Sequence, residues 1–118
     1  MGMSAMELKV SSRGQVSVVA MNGDLEVQEI GDFKAVMDKI LGSGIPPRAV
    51  LDLSGVTRMT SYVVAMVGYY NAQFKQVGGK LVVAGAPTVA RRSFELSGLA
   101  SVVTMVDSVD EGVKSVGG

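Results

Sequence analysis

Short apolar runs rich in β-branched residues alternate with segments of helical period, and this alternation constrains the fold more than any other feature. Residues 49–53 and 80–84 are nearly continuous apolar runs, which are typical of central strands covered on both faces. Within residues 30–41, apolar side chains recur every three or four positions, at Ile30, Phe33, Val36, Met37, Ile40 and Leu41. Strands that are separated by helices pair most readily in parallel, through right-handed crossovers. The pattern therefore predicts an α/β fold.

The predicted elements follow the order β-β-α-β-α-β-α-β-α. Strands are predicted at 7–10, 15–21, 49–53, 80–84 and 102–106, and helices at 27–41, from Ser61 to the Gly78-Gly79 pair, at 89–96 and from 108 onward. We expect a mostly parallel sheet with an antiparallel N-terminal strand, flanked by helices. This single domain spans residues 7–116 and follows a disordered N-terminus at residues 1–6.

Turn and cap residues mark the ends of several predicted elements. The first two strands are joined by a turn at Arg13-Gly14, and the second strand ends at Asn22-Gly23. Gly42 is the predicted C-cap of the first helix. Ser108 and Glu111 have the spacing of a capping box, in which each side chain satisfies the other residue's backbone amide. A terminal helix is therefore expected to start there.

The residue types that most catalytic and metal sites require are missing. The 118-residue chain has no cysteine and no histidine, which excludes a disulfide framework, a Cys-ligated zinc site and Ser-His-Asp or Cys-His catalysis. Neither GxGxxG nor GxxxxGK[ST] occurs, so a glycine-rich nucleotide site is not predicted. We predict a non-enzymatic protein without cofactor or metal. A small flavodoxin-like enzyme or nucleotide binder is the alternative from another class.

Charge and the N-terminal sequence bear on partners and location. The chain has 11 basic and 11 acidic side chains, and a net charge of zero argues against a nucleic-acid or membrane-surface binder. Its first ten residues, MGMSAMELKV, lack the basic and apolar regions of a secretory signal. No apolar run approaches the ~20 residues of a membrane span. These features predict a cytoplasmic protein with neither nucleic-acid binding nor direct membrane insertion.

The loop predicted at residues 54–61 is rich in hydroxyl side chains and ends where the second helix begins. Thr60 or Ser61 is expected to be the N-cap of that helix, accepting from free backbone amides. The same geometry suits a phosphoserine, because unpaired amides and the positive end of the helix dipole favour a phosphate. Both interpretations stay open. An aspartyl-phosphate receiver centred on Asp52 is disfavoured, since Asp24 is the only other acid well placed to hold Mg²⁺.

Four segments of the chain form a recognisable series. They are Leu51-Asp52-Leu53-Ser54-Gly55-Val56, Met59-Thr60-Ser61, Gly78-Gly79-Lys80-Leu81-Val82-Val83 and Phe94-Glu95-Leu96-Ser97-Gly98-Leu99. In this order and spacing they resemble the STAS domain of bacterial anti-sigma-factor antagonists, over about residues 7–116. The resemblance implies a STAS-like fold and a regulator that binds an anti-sigma factor which is also a serine kinase. In that family, phosphorylation of one serine at the start of the second helix ends the interaction.

Ser61 matches the phosphorylated serine of the family, whose usual segment reads Asp-Ser-Ser-Gly-Leu. On this chain Thr60 replaces the acidic residue, Tyr62 the second serine and Val63 the glycine. Loss of the carboxylate removes a contact that a kinase could use, and also removes like-charge repulsion with a phosphate. The alternative is a phosphorylation-independent STAS interaction module in a signalling scaffold or a lipid-transport complex.

The second predicted helix has two different sides. At 100° per residue, the side expected to face the sheet carries Val63, Met66, Val67, Tyr70, Phe74 and Val77. The opposite side is uncharged and carries Ser61, Ala65, Gly68, Tyr69, Ala72 and Gln76. Either a neighbouring helix of the same domain packs on that side or a partner binds it, and a homodimer is a further option. The residues predicted to contact a partner are Met59, Thr60, Tyr62, Ala65, Gly68, Tyr69 and Ala72, with Tyr69 as the aromatic anchor.

Overall fold

A computed structural model describes residues 6–25, 30–43 and 46–117. Its strands are β1 (Met6–Arg13), β2 (Val16–Leu25), β3 (Arg48–Met59), β4 (Lys80–Ala84) and β5 (Thr104–Val106). Its helices are α1 (Ile30–Leu41), α2 (Ser61–Gln76), α3 (Thr88–Leu96) and α4 (Val109–Gly117), with a 3-10 turn at Leu99–Ser101. The disordered start predicted for residues 1–6 lies outside the described residues, apart from Met6 at the beginning of β1.

The five strands form one sheet in the order β1-β2-β3-β4-β5. β1 and β2 are an antiparallel hairpin, and the remaining neighbours pair in parallel. The predicted α/β architecture with an antiparallel N-terminal strand is confirmed. Each strand lies beside the next strand of the chain, so the helical crossovers are short and the carboxyl ends of β2 to β5 lie at the same edge of the sheet.

Helices cover the sheet on both faces, but unequally. The larger apolar cluster lies under α1, α2 and α3 and includes Phe33, Tyr70, Phe74 and Phe94, all fully buried. The smaller cluster lies under α4 and consists mainly of valines. β3 is central and contributes alternate side chains to both clusters, which explains why residues 49–53 are a nearly continuous apolar run.

Strands β2 and β3 are longer than predicted. β2 continues through Asn22-Gly23 to Leu25, and β3 continues through most of the predicted loop to Met59. Beyond Asp52 the two strands pair only with each other, with register shifts on either side of Asn22-Gly23. The predicted end of β2 and the predicted loop at 54–61 are therefore wrong. Mutual hydrogen bonding of β2 and β3 stabilises both segments as strand, although the local sequence is typical of turns.

The end of the chain also differs in detail. The last strand starts at Thr104 instead of 102, because the 3-10 turn at Leu99–Ser101 occupies the preceding residues. The capping box at α4 is present: Ser108 Oγ accepts from the Glu111 backbone N–H at 3.2 Å. The reciprocal contact differs from the expectation, since the Glu111 carboxylate accepts from the Ser108 hydroxyl at 3.3 Å. Among the described helices, none has the length and hydropathy needed to cross a bilayer.

Candidate functional site

The carboxyl end of β3 leads directly into α2. Thr60 is the N-cap of α2, with φ −86° and ψ 160°, and its Oγ1 accepts from the Val63 backbone N–H at 3.4 Å. Ser61 is the first helical residue and is exposed. Within the described part of the chain, no hydrogen bond engages the Ser61 hydroxyl. The capping role falls to Thr60, which leaves the Ser61 hydroxyl accessible at a helix N-terminus.

A hollow of about 440 Å³ opens beside Ser61, between the start of α2 and α3. Its lining combines hydroxyl and apolar side chains: Met59, Thr60, Ser61, Ser93, Leu96 and Ser97. Ser93 Oγ lies 3.4 Å from the Met59 carbonyl oxygen, which links α3 to the end of β3, and 3.2 Å from the carbonyl oxygen of Val89 in the same helix. The two elements therefore hold the hollow in a defined shape.

Leu96 is the most exposed large apolar side chain of the described residues, with 83% of its surface accessible. It lies on α3 at the rim of the hollow, facing solvent beside Ser61. Leu96 is not among the residues predicted from the sequence to contact a partner. Helical spacing indicates that Leu96 is exposed, because Phe94 is buried and a residue two positions further lies about 200° around the helix.

The outer side of α2 is uncharged, and most of it is exposed. Tyr62 and Tyr69 are 47% and 52% exposed, and Ala65 and Ala72 are exposed as well. On the inner side, the buried residues are Val63, Val64, Val67, Tyr70, Asn71 and Phe74. The prediction that Val77 faces the sheet is wrong, because Val77 follows the last helical residue and is exposed.

Two residues predicted to contact a partner are covered by the chain itself. Met59 is 6% exposed and packs in the larger core cluster. Gly68 is half-buried, and a methyl group at its Cα would lie 2.9 Å from Leu99 Cδ1. At Gly68, therefore, the outer side of α2 is covered by another segment of the same domain and not left free for a partner. Neither residue offers a side chain to the exposed surface beside Ser61, since Met59 packs in the core and Leu99 of the 3-10 turn lies against Gly68.

Tyr70 fixes the position of Tyr69 and of the outer side of α2. The Tyr70 hydroxyl donates to Asp38 Oδ1 of α1 at 2.7 Å, and its ring meets Phe33 edge-on with centroids 5.7 Å apart. The Tyr69 ring packs edge-on against Tyr70 at 5.0 Å. Burial and, to a lesser degree, the Asp38 carboxylate raise the pKa of Tyr70 above its ordinary value, so its hydroxyl stays a donor. Tyr69 is thus an exposed aromatic side chain on a rigid support.

Two acidic residues, Asp24 and Asp52, lie near this edge of the sheet and contact neighbouring residues. Asp52 Oδ1 accepts from the backbone N–H and the hydroxyl of Ser54, at 3.0 and 2.8 Å. Asp24 Oδ2 lies 3.8 Å from Arg58 Nη1 across the β2–β3 extension. The Asp52 side chain is therefore held within β3, whereas Asp24 Oδ1 is buried and has no hydrogen-bond partner among the described residues. The described residues contain no group of three potential ligands arranged to hold a metal ion.

The fold and this site define a small α/β protein with an exposed serine at a helix N-terminus and an uncharged helix face beside it. Residues 8–107 match the family described as "Mlab, STAS domain". The chain therefore belongs to the STAS-domain family. No curated protein matches it significantly.

Several solved structures share the fold. An anti-sigma factor antagonist from Mycobacterium paratuberculosis is 20% identical, with 96% of this chain and 95% of that chain covered and a TM-score of 0.82. The anti-sigma factor antagonist SpoIIAA in its unphosphorylated form is 19% identical, over 94% and 95% of the two chains, with a TM-score of 0.76. The Bacillus cell fate determinant SpoIIAA in the phosphorylated form is 18% identical, over 94% and 98%, with a TM-score of 0.70.

Proposed function

We propose that this protein is a regulator of the anti-sigma-factor-antagonist type, which binds an anti-sigma factor with serine kinase activity and is controlled by phosphorylation of Ser61. The binding site is the partner surface, which we define as Ser61, Tyr62, Ala65, Tyr69, Ala72 and Leu96. One observation carries the proposal: an accessible Ser61 hydroxyl lies at the start of a helix whose outer side is exposed and uncharged. The proposal assigns the protein to the cytoplasm and to action by binding, without turnover.

The partner surface has the composition of an interface core. Its two tyrosines and Leu96 offer large contact areas, and the alanines between them let a partner approach the helix closely. Interface cores are depleted in charge and enriched in aromatic residues, and the residues that carry most of the binding energy are often Tyr, Trp or Arg. Tyr69 is the proposed anchor because Tyr70 supports its ring from beneath.

A phosphate on Ser61 would change this surface without unfolding it. The first backbone amides of α2 and the positive end of its dipole favour an anion at that position. About two negative charges would then stand at the edge of an uncharged surface. A partner that buries this surface would have to desolvate those charges, so its affinity would fall.

A phosphorylation-independent interaction module is the second candidate function. The observation that favours it is the half-exposed Tyr62 ring directly after Ser61, where the usual family segment has a small serine. Val63 is buried at the position of the family's glycine, so the chain follows the fold there without the small residue. Such a module would use the same partner surface, in a signalling scaffold or a lipid-transport complex, without a switch.

Phosphate mapping separates the two candidates. The protein is incubated with ATP and the kinase that co-purifies with it, and the modified residue is identified by mass spectrometry. We expect the label on Ser61 and none in Ser61→Ala. Ser61→Asp should weaken partner binding at least tenfold in calorimetry, whereas Ser115→Asp, at an exposed position on the opposite face of the sheet, should not. Partner binding with no label, and with full affinity in Ser61→Asp, would support the second candidate.

The anchor is tested separately. Tyr69→Ala should lower partner affinity by about thirtyfold, since truncation of an anchor residue costs about 2 kcal/mol. Val102→Ala is the matched control, because Val102 is also half exposed but lies after the 3-10 turn, outside the partner surface. Equal affinity in Tyr69→Ala and the unmodified chain would remove α2 from the proposed interface.

A further inference from the structure

The outer edge of β1 offers a second, independent interaction surface. β1 is eight residues long and lies at the end of the sheet, with β2 on its inner side only. Within the described ranges, no strand pairs with its outer side. An unpaired strand edge of this length is a template for another strand.

The hairpin register shows which backbone groups point outward. β1 and β2 are joined by the two-residue loop Gly14-Gln15, and the φ of 62° at Gly14 fits a type II′ turn. Such a turn makes Arg13 and Val16 a hydrogen-bonded pair, so Ser11, Lys9 and Glu7 also hydrogen-bond to β2. The backbone N–H and C=O groups of Leu8, Val10 and Ser12 consequently point away from the sheet.

An exposed apolar side chain lies at the centre of this edge. Val10 is 52% exposed and forms one wall of a hollow of about 390 Å³, whose apolar lining includes Val36 and Ile40 of α1 and Pro47. Sheet edges of monomeric proteins usually carry charged or otherwise protective side chains at such positions. Val10 instead presents an apolar contact next to free hydrogen-bonding groups.

The charges of β1 are arranged so that the strand complements itself. In an antiparallel pair of two β1 strands centred on Val10, residue numbers of opposing partners sum to 20. Glu7 then faces Arg13 of the second copy at both ends, while Leu8 faces Ser12 and Lys9 faces Ser11. Opposite charges placed directly across strands stabilise pairing, and like charges would oppose it. Arg13 Nη1 contacts Asp110 at 2.6 Å, and the guanidinium keeps further N–H donors for Glu7 of the copy.

We propose that two copies of this chain associate through their β1 edges in antiparallel register centred on Val10, which joins their sheets into one. The outward N–H and C=O groups of Leu8, Val10 and Ser12 would form the hydrogen bonds of the new ladder. Val10 of each copy would contact Val10 of the other on the α1 face, and the Glu7–Arg13 pairs would lie on the α4 face. The self-complementary register is what selects a second copy over an unrelated extended peptide.

The proposed dimer leaves the partner surface free. β1 lies at one end of the strand order, whereas the start of α2 and α3 pack beside β3 and β4. One dimer would therefore carry two partner surfaces and could bind a bivalent partner with increased avidity. This inference does not depend on phosphorylation of Ser61, since β1 and its edge are outside that site.

Cysteine crosslinking tests the register, because the chain contains no cysteine of its own. Val10→Cys should form a disulfide-linked dimer under mild oxidation at least tenfold faster than Val102→Cys. The control is matched in residue type and exposure, at 52% and 50%. Opposing residues of an antiparallel pair lie within the Cα separation that a disulfide spans. Equal rates for both variants would overturn the proposal.

Charge exchange gives a second test. It is read by sedimentation velocity over about 10 µM to 1 mM, because a contact between two single strands is a small interface and small interfaces give weak complexes. The unmodified chain should shift towards twice the monomer mass as concentration rises, and Glu7→Arg or Arg13→Glu alone should not. A mixture of the two single variants should recover the dimer, since each supplies the charges that the other lacks. Two results would overturn self-pairing. One is a monomer at all concentrations. The other is a β1 edge whose amides are protected from exchange only when the protein that binds the partner surface is added.

Discussion

Thr60 and Ser61 are neighbouring hydroxyl residues with different tasks. Thr60 satisfies a backbone amide of α2, and Ser61 projects into solvent beside the hollow. The distinction follows from position, because the cap residue has extended backbone and its side chain turns back over the first turn of the helix, whereas a residue at the first helical position does not. A phosphorylation site can therefore exist here without loss of the cap.

Removal of the cap should cost stability. We expect Thr60→Ala to lower the free energy of unfolding by about 0.5–1 kcal/mol, the lower half of the usual range, since the cap hydrogen bond is 3.4 Å long. Thr60→Asp is the control, because it keeps an acceptor and adds a charge that the helix dipole favours. Urea denaturation of the three proteins measures the effect. The capping assignment fails if both variants lose the same stability.

A single ion pair should be visible in a pH titration. Asp110 contacts Arg13 at 2.6 Å, and this hydrogen bond and charge lower the pKa of the Asp110 carboxyl below its ordinary value. The folded chain thus favours the charged form of Asp110. The ion pair contributes to stability above the pKa that Asp110 has in the unfolded chain, and this contribution is lost as the pH falls through the lower pKa of the folded chain. NMR titration should show the lowered pKa, and Arg13→Ala should raise it towards the ordinary value of an aspartate, since the hydrogen bond and charge of Arg13 are its main causes. An unchanged pKa in that variant would contradict the pair.

At the scale of elements, the extension of β2 and β3 carries the chain past the edge of the parallel sheet and into α2. β4 pairs with β3 only as far as Asp52, and beyond that residue β3 is held by β2 alone. Leu53, Val56 and Met59 turn their side chains into the core from this extension. The start of α2 is thereby anchored from beneath, which gives Ser61 a fixed position.

Helix α4 depends on a glycine for its approach to the sheet. A methyl group at Gly112 would lie 2.9 and 3.1 Å from the Cγ atoms of the buried Val50. We expect Gly112→Ala to destabilise the protein by about 1–3 kcal/mol through overpacking, despite the better helix propensity of alanine. The measurement is thermal or urea unfolding.

Gly31 is the matched control for that substitution. It lies in the first turn of α1, where an added methyl group meets no non-neighbouring atom of the described residues within 4 Å. Gly31→Ala should leave stability unchanged or raise it by up to about 1 kcal/mol. A loss in Gly31→Ala as large as that in Gly112→Ala would show that close packing under α4 is not the cause.

For the whole molecule, the unequal covering of the two faces predicts unequal local stability. The α1–α2–α3 face buries the large aromatic side chains, whereas α4 rests on a small valine cluster. Regions with few buried apolar contacts open more readily than the core of the sheet. The fold is thus expected to open first at α4.

Native-state amide exchange measures this difference. Amides in the second half of α4, such as those of Lys114 and Val116, should be protected at least tenfold less than those of Leu51 and Val83. This corresponds to an opening free energy lower by about 1.4 kcal/mol. Asp110→Ala should widen the gap, because it frees the start of α4 from Arg13. Equal protection in α4 and the central strands would mean that the molecule opens only as a unit.

Much of the fold was predictable because its signals are local. The apolar period of residues 30–41 coincides with α1, and residues 80–84 coincide with β4. Residues 27–29, the start of the predicted first helix, lie outside the described residues. The start of α2 at Ser61 was also predicted, together with the position of Tyr69 on the side of α2 that faces away from the sheet. Each of these depends on residues within one or two turns or on a simple alternation of faces.

The errors share a different physical origin. β3 extends to Met59 because β2 lies alongside it, Met59 is buried because the extension packs on the core, and Gly68 is covered because the 3-10 turn places Leu99 above it. None of these neighbours is close in sequence. Leu96 lies beside Ser61 because α3 packs next to the start of α2, a contact between segments that are distant in sequence.

The sequence by itself determined the α/β class, the order of elements, the resemblance to STAS domains and the serine at the start of α2, since all of these depend on short-range pattern and spacing. Tertiary structure alone decided which hydroxyl caps the helix, which side chains of α2 and α3 form one exposed surface, and how far β2 and β3 extend. These depend on contacts between segments distant along the chain, where pairing and close packing override local preference.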